Sequence, residues 1–249
     1  MNPTPHLRHL DERIDTATQH DASRPHEAHA PRAILWDMDG TVIDTEPYWM
    51  EAETQLVESY GKTWSEEQAF GLVGNALPVS GRMIKEQTGI PLSPDEIVDA
   101  LLEQVIEKLK QHVPWRPGAH DLLLAAREAG MPCALVTMSY ESFARVLVDA
   151  LPAGTFEVVV TGDMVSAGKP DPEAYERAAA ELGLRPDQCV AIEDSATGVR
   201  SAVAAGVPTI AVPHLVKVPD LDGLVVVPTL AGVGLDDLPR LAERARATA

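Results

Sequence analysis

Apolar residues along this chain come in blocks. Continuous apolar runs stand at 33–36, 133–136, 158–160, 189–192 and 207–212, with a weaker one at 224–227. A run without alternation is apolar on both faces, as in a strand buried inside a parallel sheet. Helical patterns at 121–128, 141–150, 172–181 and 196–205 lie between the runs. Strand and helix alternate, which predicts an α/β protein with a doubly wound, mostly parallel, Rossmann-like sheet.

The rhythm breaks once, between the first and second runs. Here Ser65-Glu66-Glu67-Gln68 and Ser93-Pro94-Asp95-Glu96 are capping boxes, the second with proline at the first helical position. Leu101, Leu102, Val105, Ile106 and Leu109 then form a helical stripe. Residues 46–113 are therefore expected to be an inserted α-helical cap on a core made of 32–45 and 114–249, with Pro114, Pro117 and Gly118 marking the return. Residues 1–31 are polar, with four prolines and five histidines (His6, His9, His20, His26 and His29). So little apolar material cannot offset the entropy of ordering, so a disordered tail is expected there. The irregular histidine spacing favours a solvated tail over a metal site.

Composition narrows the function. A length of 249 residues suits one or two domains, and 20 basic against 38 acidic residues leave a net charge of −18. That argues against a duplex nucleic-acid binder. Aromatic residues at 4% leave little material for base stacking. No apolar run approaches the roughly 20 residues of a membrane span, and 1–31 lacks the apolar segment of a signal peptide. Cys133 and Cys189 sit inside apolar runs and are expected as core thiols in a reducing compartment. A cytoplasmic protein is expected, with no membrane, nucleic-acid or obligate protein partner.

Candidate chemistry gathers where the strands end. Asp37 and Asp39 follow the first run in Asp37-Met38-Asp39-Gly40-Thr41. A spacing of two sends both carboxylates to one side of an extended chain and Met38 to the other, and Gly40 allows a sharp turn. Thr137 ends the second strand, where its hydroxyl and the neighbouring amides, Met138 included, suit phosphate oxygens or a helix cap. Lys169, between Gly168 and Pro170, is a positioned point charge suited to a phosphoryl group, while Asp171 and Pro172 make a helix start. Glu193 and Asp194 end the fourth strand. Two acidic pairs on one sheet edge repel unless a cation lies between them, and oxygen-only ligands suggest Mg²⁺. Gly198 allows close packing beside them.

This set resembles the haloacid dehalogenase superfamily, in that family's order, over about 33–213. The resemblance implies a phosphatase in which Asp37 is the nucleophile and forms an aspartyl-phosphate, and Asp39 is the general acid and base. Thr137, Met138 and Lys169 hold the phosphoryl group, and Mg²⁺ sits on Asp37, the Asp39 carbonyl and Asp194, with Glu193 a direct or water-mediated ligand. The substrate expected is a small phosphorylated metabolite such as a sugar or polyol phosphate. Asp44, Thr45, Glu46 and Trp49 are placed at the entrance between core and cap.

The alternatives are a β-phosphoglucomutase-like sugar phosphomutase and a non-catalytic phosphometabolite-binding protein. Those mutases carry a cap histidine where this chain has Trp49, and the arginine that grips the second phosphate is not found around 74–77, with Arg82 out of register. Hydrolysis is therefore preferred. Trp36, Trp64 and Trp115 are expected to pack, Asp163 to cap a turn, and His112, His120 and His214 to be isolated.

Overall fold

β1 (Ala33–Trp36) lies at the centre of a six-stranded parallel sheet with β2 (Cys133–Val136), β3 (Val158–Val160), β4 (Cys189–Glu193), β5 (Thr209–Ala211) and β6 (Leu224–Val226), in the order β3-β2-β1-β4-β5-β6. The structure is a computed structural model and describes residues 30–248. The expectation of a disordered tail falls almost wholly outside the described residues.

Burial on both faces explains the unbroken apolar runs, because β1, β2 and β4 are buried throughout. Ala33 and Leu35 join the side covered by α7 (Glu173–Glu181) and α8 (Ala196–Ala204). Ile34 and Trp36 join the side covered by α5 (Ala119–Glu128), α6 (Glu141–Asp149) and α9 (Leu238–Arg246). The first side is built mainly of alanines, Ala174, Ala178, Ala179 and Ala202, which bring α7 and α8 close to the strands. Two boundaries differ from expectation for local reasons. β5 starts at Thr209 rather than at 207, since Pro208 has no N–H for the ladder. α5 starts two residues early because Gly118, at φ 82°, turns the chain into the helix.

Between β1 and α5 the chain forms α1 (Glu46–Ser59), α2 (Glu66–Phe70), α3 (Leu77–Thr88) and α4 (Pro94–Gln111). Both capping boxes close: Ser65 with Gln68 and Ser93 with Glu96 exchange side-chain and backbone hydrogen bonds. α4 buries Ile97, Leu101, Val105 and Leu109. Trp49 of α1 meets Phe143 of α6 edge-on, ring centroids 5.6 Å apart, so the apolar core runs from the sheet into these helices.

Cys133 and Cys189 are free and buried. Burial lifts their thiols to about 12 and about 11, so they stay protonated. No helix among the described residues is long and apolar enough to cross a membrane.

Candidate active site

The strand order turns about β1, with β2 on one side and β4 on the other, and a crevice opens beyond the carboxyl ends of such strands. Asp37 takes up that position; its N–H still donates to the Ile192 carbonyl at 3.0 Å. Around it the structure gathers Asp39 after β1, Thr137 after β2, Lys169 after β3, and Glu193 and Asp194 at the end of β4. All except Glu193 line one cleft.

Lys169 organises this edge. Its side chain is 4% exposed. Nζ donates to Asp37 Oδ1 (2.6 Å), Glu193 Oε1 (2.6 Å) and the Val136 carbonyl (2.9 Å), which uses all three ammonium protons. Burial alone would lower its pKa, but the charges of Asp37 and Glu193 outweigh burial and hold it above the ordinary lysine value. Glu193 is 0% exposed. Its Oε1 also accepts from the Tyr175 hydroxyl (2.8 Å), and Oε2 accepts from the Asp194 N–H, the Ser195 N–H and the Ser195 hydroxyl. Tyr175 lies in the first turn of α7, six residues beyond Lys169, and its ring sits 5.2 Å from the lysine ammonium.

The cation expected between the acidic pairs is thus in part this chain's own ammonium. A second charge still lacks a partner. Asp37 Oδ2 is buried and has no hydrogen bond. Asp37, Glu193 and Asp194 each offer an oxygen, all within 4.8 Å of one another. Burial, reinforced by the Glu193 charge, raises Asp37 to about 7, and burial reinforced by the Asp37 charge lifts Asp194 well above its ordinary value. This donor set, hard oxygens alone, fits a small divalent cation. Glycines close the cradle. A Cβ on Gly40 (φ 86°) would stand 2.1 Å from Asp194 Oδ2, and one on Gly198 would stand 1.9 Å from Glu193 Oε1.

Asp39 is held by hydroxyls. Thr45 donates to Oδ1 at 2.5 Å, while Ser139 (2.7 Å) and Thr137 (3.4 Å) donate to Oδ2. Burial raises its pKa, and those hydrogen bonds offset part of the rise. The Thr137 hydroxyl also accepts the Ser139 N–H at 3.0 Å and so shapes its own turn. Met138 lines the cleft, and its sulfur accepts the Lys169 N–H at 3.2 Å.

The four entrance residues divide. Glu46 and Trp49 line the cleft. Thr45 is fully buried, its hydroxyl on Asp39, and Asp44 pairs with His214 at 3.0 Å. His214 is therefore not isolated as expected: the loop after β5 brings it to the cleft wall. His120 packs against Trp115, ring centroids 4.4 Å apart. Asp163 accepts from the Glu141 N–H at the start of α6. Sequence reasoning missed Ser139, Tyr175, Glu53 and His214. Each had a signal. Ser139 shares a loop with Thr137, Tyr175 follows Lys169 into its helix, His214 follows an apolar run, and Glu53 interrupts the buried stripe Trp49, Ala52, Leu56, Val57.

A family model described as haloacid dehalogenase-like hydrolase matches residues 31–206. The chain is similar to the phosphorylated carbohydrates phosphatase of Thermotoga maritima, 32% identical over 185 residues, covering 70% of this chain and 82% of that protein. It is similar to hexitol phosphatase A of Escherichia coli, 33% identical over 183 residues, covering 73% and 82%. Among solved structures, CbbY from Rhodobacter sphaeroides in complex with phosphate superposes with a TM-score of 0.74 at 29% identity, covering 84% of this chain and 99% of that one.

Proposed function

The chain belongs to the haloacid dehalogenase-like hydrolases, and from that premise we propose that it is a phosphatase acting on a small phosphorylated sugar or polyol, with Mg²⁺ as cofactor and an aspartyl-phosphate intermediate. The observation that carries this reading is the Asp37 carboxylate. One of its oxygens is held by a buried lysine, and the other is unpartnered at the mouth of the sheet.

In this reading Asp37 attacks phosphorus, and the bond from phosphorus to the leaving oxygen breaks as the bond to Asp37 forms. Asp39, whose protonated form burial favours, gives its proton to the departing alkoxide. Water then attacks the aspartyl-phosphate while Asp39 takes that water's proton, releasing inorganic phosphate and restoring Asp37. Lys169 neutralises the transferring group, and the Thr137 hydroxyl with the Met138 amide orients its oxygens. Asp37, the Asp39 carbonyl and Asp194 would hold Mg²⁺, which supplies charge neutralisation between phosphate and nucleophile. Glu193, with both oxygens taken by donors, serves chiefly to hold Lys169. Helices α1–α4, within 46–113, act as the cap that closes the cleft. Trp49, where a mutase would need a proton carrier, favours hydrolysis.

Release of inorganic phosphate from a panel of sugar and polyol phosphates, with Mg²⁺ and with EDTA, tests the proposal. Release confined to the Mg²⁺ arm is expected. Full activity in EDTA overturns the metal assignment, and no release from any ester overturns the phosphatase.

A further inference from the structure

The wall of the cleft away from the sheet carries two carboxyl groups without a cationic partner. Glu46 and Glu53 stand two turns apart on α1, on one helix face, with Trp49 between them; Asn75 and Ser80 also line this side, among apolar residues such as Leu72, Leu77 and Leu101. Glu53 is 5% exposed. One of its oxygens accepts the Trp64 indole N–H at 3.1 Å, and among the described residues nothing donates to the other. Burying a carboxylate is costly without partners, and here half of that need is left open to the cleft. Among the residues lining the cleft, Lys169 is the one side chain with a fixed positive charge, and its protons are spent on Asp37, Glu193 and Val136.

We infer that this wall is a distal substrate subsite that accepts the uncharged, hydroxyl-bearing end of a phosphate monoester, a substrate hydroxyl donating to Glu53, and rejects a second phosphate. The inference deepens the phosphatase reading and rests on it. A carboxylate is acceptor-only, so hydroxyls complement it, and the neutral Asn75 and Ser80 can serve further hydroxyls. A second phosphate would lie beside two carboxylates in a partly desolvated cleft, a like-charge contact that works against binding. Trp64 holds the Glu53 carboxylate in one orientation. The wall therefore selects by charge as well as by shape.

The test uses binding, so that it stands apart from turnover. In the full chain carrying Asp37→Asn, with Mg²⁺ at about pH 8, calorimetry compares glucitol monophosphate with glucitol bisphosphate. The monophosphate is expected to bind about tenfold more tightly or better, since one lost charge-assisted contact is worth about that factor. Adding Glu53→Gln, which keeps an oxygen for Trp64, should weaken the monophosphate about threefold, leave the bisphosphate unweakened and so shrink the preference to about threefold. Should that protein fail to fold, Glu46→Gln is read in the same way, with the preference again narrowing. Equal affinities, tighter binding of the bisphosphate, no binding of either, or a preference unmoved by the substitution overturns the inference. Failure of the unsubstituted chain to release phosphate from any ester of the sugar and polyol phosphate panel overturns the phosphatase reading instead, and the affinity ratio still decides the subsite.

Discussion

The two walls of the cleft handle buried charge in opposite ways. On the sheet edge the chain's own donors engage most of the carboxylate oxygens and leave Asp37 Oδ2 and Asp194 to the proposed cation: Lys169 bridges Asp37 and Glu193, Tyr175 and two backbone amides serve Glu193, and three hydroxyls hold Asp39. On the helical side Glu53 has one donor, and Glu46 is raised to about 7 by burial and by its acidic neighbours Asp39, Glu53 and Asp44. A network satisfied from within is preorganised for a fixed reaction. A wall left half satisfied draws its remaining partners from the ligand. Chemistry and selectivity are therefore separable, and substitutions on the two walls should fail differently.

The largest effect belongs to the nucleophile. Asp37→Asn should lower phosphate release at least about 10⁴-fold on every ester, because an amide is a poor nucleophile; wild-type rates would remove Asp37 from the chemistry. Asp39→Asn sharpens the same side. Alkyl phosphates, whose alkoxides need a proton to leave, should lose about 10²–10⁴-fold in the first step and aryl phosphates less. Rapid-quench detection of enzyme-bound phosphate should then show the intermediate accumulating with an aryl substrate. Equal losses with no accumulation would make Asp39 structural.

Stability separates the walls next. Lys169→Met leaves Asp37 and Glu193 buried without their cation, and urea unfolding should report a loss of about 3–5 kcal/mol, as for other broken buried pairs. Gly198→Ala drives a methyl group into the Glu193 carboxylate and should cost about 1–3 kcal/mol; a neutral result would mean that the cradle is loose.

The smallest effect lies on the helical wall and depends on pH. Burial raises the Glu53 carboxyl from 4.5 to about 7, against a smaller lowering by the Trp64 hydrogen bond. The folded chain therefore holds that proton more tightly than the unfolded chain. The stability this contributes is complete below about pH 4.5 and is lost as pH rises through about 7. Glu53→Gln cannot titrate, so its advantage over the parent should be negligible near pH 4 and grow to about 2 kcal/mol near pH 6, read from thermal midpoints. A difference that does not vary with pH would mean that Glu53 is ionised in the folded chain at all these values.

The parts legible in the sequence were those written in local pattern. Unbroken apolar runs marked the buried strands, and the two capping boxes marked where α2 and α4 begin. Acids, a threonine and a lysine just after the runs marked the crevice, because in a parallel sheet every strand end points to the same edge. What only the tertiary structure decided were pairings between distant positions. Lys169 lies 132 residues from Asp37 and 24 from Glu193, and sequence spacing alone did not show its ammonium taking part of the place expected for a metal. Asp44 finds His214 across 170 residues. The residues of α1 carry both readings at once. Its helical period is local, but that Thr45 just before it turns to Asp39 while Glu53 turns to Trp64 and the cleft depends on how the helix docks. Periodicity shows which residues share a face; what that face meets is set by packing summed over the whole chain.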